Sequence, residues 1–157
     1  MKIYYKGTVF PSKHNKITMD VNNVGYVINV INSEHFIPWE KQKVYITEIQ
    51  KDIYGFRTFN ENIMFQQLTQ PKDISPYKAL TILRDNDLID LCKAIVNEDY
   101  NKLLELKLSE MTLNRIFRTM KKTALYVLDS LRDKTPIQNF DGIIQAETET
   151  IQNDEKL

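Results

Sequence analysis

Residues 16–31 read Lys-Ile-Thr-Met-Asp-Val-Asn-Asn-Val-Gly-Tyr-Val-Ile-Asn-Val-Ile, and this stretch decides the architecture of the first part of the chain. Ile17, Met19 and Val21 alternate with Lys16, Thr18 and Asp20, the period of a strand with one face in a core. Asn22-Asn23 supplies two consecutive residues that tolerate positive φ, as a two-residue hairpin turn requires, and a second β-rich run follows over Val24 to Ile31. Upstream, Lys2 to Phe10 is rich in Ile, Tyr, Val and Phe and is punctuated by Pro11, Ser12 and Asn15. Downstream, an irregular piece with Pro38 and Trp39 over Ser33 to Glu40 precedes two more runs, Lys43 to Ile49 and Asp52 to Arg57. Five short strands within residues 1–57 would leave exposed edges unless the sheet closes, so a small barrel is expected.

At Thr58 the period changes. Thr58 and Glu61 stand at T-x-x-E spacing, where each side chain satisfies a free backbone N–H of the other, and Ile63, Met64, Phe65 and Leu68 follow on a helix that must end before Pro71. Ser75-Pro76 opens a second helix, a hydroxyl cap followed by the one helical position where proline costs nothing. A third opens at Asp87, and a short fourth starts near Asp99. A fifth runs from Thr112 to about Arg132 with Leu113, Ile116, Phe117, Met120, Ala124, Val127, Leu128 and Leu131 on one side. Residues 58–134 therefore read as a helical domain. From Thr135 periodicity fades and Gln, Asn, Thr and Glu accumulate, the composition of a disordered tail over 135–157.

The formal net charge of zero conceals an asymmetry. Residues 1–134 hold 20 basic and 16 acidic side chains, whereas 135–157 hold Lys156 against Asp141, Glu147, Glu149, Asp154 and Glu155. A mildly basic body thus carries an acidic tail, and the average understates the body's attraction for anions. The single cysteine, Cys92, cannot form an intramolecular disulfide, no apolar run approaches a membrane span, and the opening residues do not resemble a leader. A reducing cytoplasm is the expected location.

Catalytic chemistry finds no foothold. The phosphate-binding pattern G-x-x-x-x-G-K-S/T is absent, and only four glycines are present. His14 and His35 fall in loops without a neighbouring Cys or His at ligand spacing, which is the pattern of solvated histidines rather than a metal site. Cys92 lies on the apolar side of its helix, where a thiol behaves as a small hydrophobe. Carboxylate pairs such as Asp85/Asp87 and Glu98/Asp99 flank helix starts, where capping and the helix dipole explain them. No catalytic residue, metal or cofactor is expected.

The positive signal lies around the last helix, where Lys107, Arg115, Arg118, Lys121 and Lys122 face a single Glu110. Arg115, Arg118 and Lys122 fall at i, i+3 and i+7. Such a stripe is the ordinary solvated face of an amphipathic helix, or a row of phosphate contacts projecting from a rigid element.

The order of elements resembles the RuvA family, the DNA-binding subunits of bacterial Holliday-junction branch-migration complexes. Asp20 through Val27 is similar to that family's E-V-G-G-V-G-Y-E, Ile53-Tyr54-Gly55-Phe56 to its L-Y-G-F, and Met1 through Gly7 to its opening strand. Asp73 through Leu83 falls on the first helix-hairpin-helix, G-V-G-P-K-x-A-L-x-I-L, while Thr112, Arg115, Met120 and Lys121 fall on T-A-E-R-L-x-x-E-M-K of the second. The resemblance covers roughly residues 1–125 and implies an α+β fold: an N-terminal five-stranded OB-like β-barrel, then a helical domain with two degenerate helix-hairpin-helix motifs. It further implies a homotetramer that binds branched DNA without reading sequence, and a separate hexameric ATPase motor as partner. The implied phosphate-gripping residues are Lys72, Ser75, Lys78, Ser109, Thr112, Arg115, Arg118 and Lys122. The alternative is a module of the same fold with a structural or protein-interaction role.

Four departures mark this chain. Asp73 and Ser75 replace glycines and Tyr77 a lysine in the first hairpin, so Asp73 is expected to repel phosphate. The second hairpin's P-G-I-G-K-K gives way to Lys107-Leu108-Ser109-Glu110-Met111, without glycine. Glu48-Ile49-Gln50-Lys51-Asp52 is about four residues shorter than the family's acidic-pin hairpin and is expected to be a tight polar turn. The segment from Thr135 is expected to be too short to form the family's three-helix motor-docking domain and its linker.

Overall fold

A computed structural model describes residues 3–10 and 13–133; the tail expected over 135–157 lies outside the described residues. Five strands, β1 (Tyr4–Phe10), β2 (Lys16–Val21), β3 (Val24–Val30), β4 (Lys41–Ile49) and β5 (Asp52–Phe56), close into a barrel in the order β1-β2-β3-β5-β4. The deciding stretch folds as its alternation requires. Val21 pairs with Val24, Asn22 and Asn23 adopt φ of 52° and 69°, and the Asp20 carboxylate accepts a hydrogen bond from the Asn23 N–H at 2.9 Å. Ile17 and Met19 point inward against Ile28, Val30, Val44 and Ile46. Ile49 pairs with Asp52, so Gln50-Lys51 forms the tight two-residue turn expected there, with Gln50 at φ 56°.

Closure depends on contacts between strands distant in sequence. β1 pairs antiparallel with β4 over Tyr4–Thr8, and β3 meets β5 in a short parallel ladder, Asn29 with Tyr54 and Val30 with Gly55. A Cβ on Gly7 would lie 2.2 Å from the Asp20 backbone oxygen, so only glycine permits this approach of β1 to β2.

Helices α1 (Phe59–Thr69), α2 (Pro76–Asp85), α3 (Leu88–Val96), α4 (Tyr100–Leu104) and α5 (Glu110–Asp133) follow. The Thr58/Glu61 capping box is formed in both directions. α1 is buried on several sides because it lies between barrel and helices. Its Phe65 ring packs 4.9 Å from Phe56 and 5.1 Å from Tyr54, measured between centroids. The buried Asn62 is fully engaged toward β4, donating to the Ile46 carbonyl at 3.3 Å and accepting from the Thr47 hydroxyl at 2.6 Å. Arg84 of α2 donates to the Ile31 carbonyl at 2.6 Å. These ties, and one apolar cluster running from Ile3, Ile31 and Phe56 to Leu113 and Val127, bind the helices to the barrel. Cys92 is buried in that cluster, where desolvation, aided by Asp87, pushes its thiol up to about 12. Among the described residues, no helix is long and apolar enough to cross a membrane.

Candidate nucleic-acid interface

Two turns open helices on this part of the fold. In the first, α1 ends at Thr69, capped by Gln70, and the chain passes through exposed Pro71, Lys72 and Asp73 to Ile74, whose side chain is buried and anchors the turn. Ser75 then caps α2, its hydroxyl accepting from the Lys78 N–H at 3.1 Å, with Pro76 in the first turn. The second turn runs from α4 through Lys107, exposed and at φ 57°, to Ser109, whose hydroxyl accepts from the Thr112 N–H at 3.2 Å. The Ala79 and Leu113 amides bond back to the Ser75 and Ser109 carbonyls. The N–H groups of Tyr77, Glu110 and Met111 have no acceptor among the described residues, leaving oriented donors at the mouths of two helices.

The two turns are locked together by Arg115. Its Nε donates to Asp73 Oδ2 at 3.1 Å and its Nη2 to Asp73 Oδ1 at 2.6 Å, a two-pronged fork across 42 residues of sequence. The same guanidinium donates to the Gln67 and Leu68 carbonyls, at 3.1 and 3.2 Å, in the last turn of α1, where a cation is also favoured by the helix dipole. The hydrogen bond from Arg115 is the main reason that the Asp73 carboxyl lies below the ordinary carboxylate value; desolvation opposes this, and the guanidinium charge and Thr112 add to it.

Two expectations are thereby corrected. Arg115 does not extend its charge into solvent: its side chain is 9% exposed, because the C-terminal carbonyls of α1 and Asp73 together enclose it. Asp73 is not an uncompensated negative charge facing a ligand, since Arg115 neutralises it at contact distance. Thr112 is buried as well, and its hydroxyl accepts from that of Ser109 at 2.9 Å.

The remaining candidates are accessible. Lys72, Ser75, Ser109, Arg118 and Lys122 are exposed and Lys78 is half-buried. The fork joins Lys72, Ser75 and Lys78 on one turn to Ser109 and Thr112 on the other. Arg118 and Lys122 lie further along α5, the latter about 20 Å of helix from Ser109 at 1.5 Å per residue. Lys121 is drawn to Glu98, 2.9 Å away. Lys107, at the tip of the second turn, lies outside the i, i+3, i+7 stripe of α5 but belongs to the basic run around the last helix and to the segment that replaces the second hairpin loop.

No family model matches the chain. It is similar to curated relatives, each a Holliday junction branch migration complex subunit RuvA. That of Pediococcus pentosaceus is 30% identical over 145 residues, covering 90% of this chain and 69% of the relative. That of Streptococcus mutans serotype c is 29% identical over 160 aligned positions, covering 98% of this chain and 76% of the relative. That of Streptococcus sanguinis is 25% identical over 146 residues, covering 88% and 74%. With the closed five-stranded barrel, the helices that follow it and a relative of this similarity, the chain belongs to the RuvA family.

Proposed function

We propose that the chain is a non-catalytic subunit that binds four-way DNA junctions in branch migration, gripping phosphates without reading sequence. The observation that carries this reading is the pair of serine-capped helix mouths, at Ser75 and Ser109, whose first N–H groups have no acceptor among the described residues. Phosphate needs cations on rigid elements and N–H donors aimed outward. Lys72, Lys78, Arg118 and Lys122 supply the first, and the open amides of Tyr77, Glu110 and Met111, beside the Ser75 and Ser109 caps, supply the second. Thr112 and Arg115 position the turns from beneath.

Each subunit offers few cations, so affinity would rest on assembly. A homotetramer presents the grip four times, and linked sites gain affinity without new contacts. In this reading the barrel and helical units act as one body. The test is a gel shift of a four-way junction against a duplex of equal length at several salt concentrations. Preference for the junction and a falling affinity with salt are expected; equal, salt-insensitive binding would defeat the proposal. Lys72→Glu with Lys78→Glu should abolish the preference.

One observation favours a second reading, a structural or protein-interaction module. Tyr77 is 77% and Met111 82% exposed, so each turn also presents a large apolar side chain at its mouth. Retained self-association without junction preference in the same experiment would support it.

A further inference from the structure

Arginine holds carboxylate and phosphate through the same pair of parallel N–H donors. In this chain that pair is already taken. The Nε and Nη2 edge of Arg115 is filled by Asp73 at 3.1 and 2.6 Å, while the Gln67 and Leu68 carbonyls hold the guanidinium from the other side. The bonds to α1 do not involve Asp73, so the orientation of the guanidinium does not depend on what fills the fork. Arg115 is nearly buried, whereas the Asp73 side chain is 32% exposed on a turn between the exposed Lys72 and Ser75. The carboxylate is therefore a surface group lying over a buried, preoriented cation.

We propose that Asp73 is a built-in competitor for phosphate: the chain occupies its own anion site at Arg115, and a phosphodiester gains the site only by displacing the Asp73 carboxylate into solvent. The exchange is balanced at the fork, because a carboxylate and a phosphodiester each bring one negative charge and two acceptor oxygens. Asp73 can leave without disturbing the buried anchor, since Ile74 holds the turn in the core independently. The device keeps the subunit's affinity low. Binding becomes tight only where neighbouring contacts, from Lys72 and the open helix amides, hold the phosphate in place long enough to outcompete a tethered rival. The source of the phosphate, junction DNA, rests on the proposed function; the self-occupied site does not.

The experiment has two arms, each run on the full chain with Asp73→Ala and with the near-isosteric Asp73→Asn, so that a folding defect in one variant leaves the other. In the first, inorganic phosphate is titrated while the Arg115 Nε–H resonance is followed by NMR. A phosphate-dependent shift is expected in the variants at concentrations at least about tenfold below those needed in the wild type. Equal responses in all three proteins, or none in folded variants, would overturn the self-occupied site. In the second arm, four-way junction affinity is measured against salt. The variants should bind roughly 3- to 10-fold more tightly, with a salt slope steeper by about one for each freed guanidinium that engages a phosphate. Unchanged or weaker junction binding by folded variants would overturn the competition with DNA. If no protein binds the junction at all, the proposed function fails, and the phosphate arm alone decides whether Asp73 occupies an anion site.

Discussion

Replacing Arg115 by methionine removes the charge while keeping most of the volume, and it tests whether the fork holds the two turns together. The substitution leaves Asp73 without its partner and removes the donors to the Gln67 and Leu68 carbonyls. Breaking a buried pair on one side typically costs about 3–5 kcal/mol. Here the abandoned carboxylate is about one-third exposed and regains water, and methionine restores apolar packing, so the expected loss is about 2–3 kcal/mol. For a chain of this length that corresponds to a fall in melting midpoint of roughly 5–12 °C. Asp73→Asn keeps an acceptor but not the charge and should cost about 1 kcal/mol. The Asp73 pKa is lowered on folding, so its ionised form is the one the fold stabilises. The wild-type advantage over Asp73→Asn should accordingly be present in full above the unfolded-state value near 4 and shrink as pH falls below it through the folded value. Urea unfolding at pH 7 and a pH series of melting curves measure both effects. An Arg115→Met protein within about 0.5 kcal/mol of wild type, or a wild-type advantage that grows as pH falls below 4, would refute the reasoning.

Other substitutions probe the frame that carries the interface. Gly7→Ala places a Cβ 2.2 Å from the Asp20 backbone oxygen, and because backbone yields less than a side chain, a loss of about 3 kcal/mol is expected in urea unfolding; a near-neutral result would show that β1 and β2 can separate freely. Thr58→Ala removes one half of a capping box and should cost about 1 kcal/mol, read as a shift in the urea midpoint without change of slope. Cys92, buried and raised to about 12, should not react with a thiol reagent at pH 8 until urea unfolds the chain; prompt reaction of the native protein would contradict its burial.

Much of the architecture was legible because its determinants are local. Alternation over Lys16–Val21, the Asn22-Asn23 turn, the Thr58/Glu61 box and the Ser75-Pro76 opening each involve residues within a few positions, and the elements form where those signals place them. Boundaries moved by one or two residues: β4 begins at Lys41 and α5 at Glu110, because strand pairing to β1 and the Ser109 cap extend them. Of the candidate residues, Lys72, Ser75, Ser109, Arg118 and Lys122 are exposed and Lys78 is half-buried, on the turns and helices where the sequence puts them. Arg115 and Thr112 did not follow, since exposure of a charged residue on a helix depends on what packs over it.

By itself, then, the sequence determined the order and type of the elements, the capping of the helices and the division between a mildly basic body and an acidic terminal segment. Hydrogen bonds among near neighbours and the periods of strand and helix suffice for these. Only the tertiary structure decided how the barrel closes, through the β1–β4 and β3–β5 ladders, and what becomes of the charges at the hairpin turns. Asp73 and Arg115 lie 42 residues apart, and nothing in either neighbourhood marks them as partners. Their pairing exists because α5 crosses the end of α1 there, and Coulomb attraction depends on distance through space and on the water excluded between two groups, not on separation along the chain.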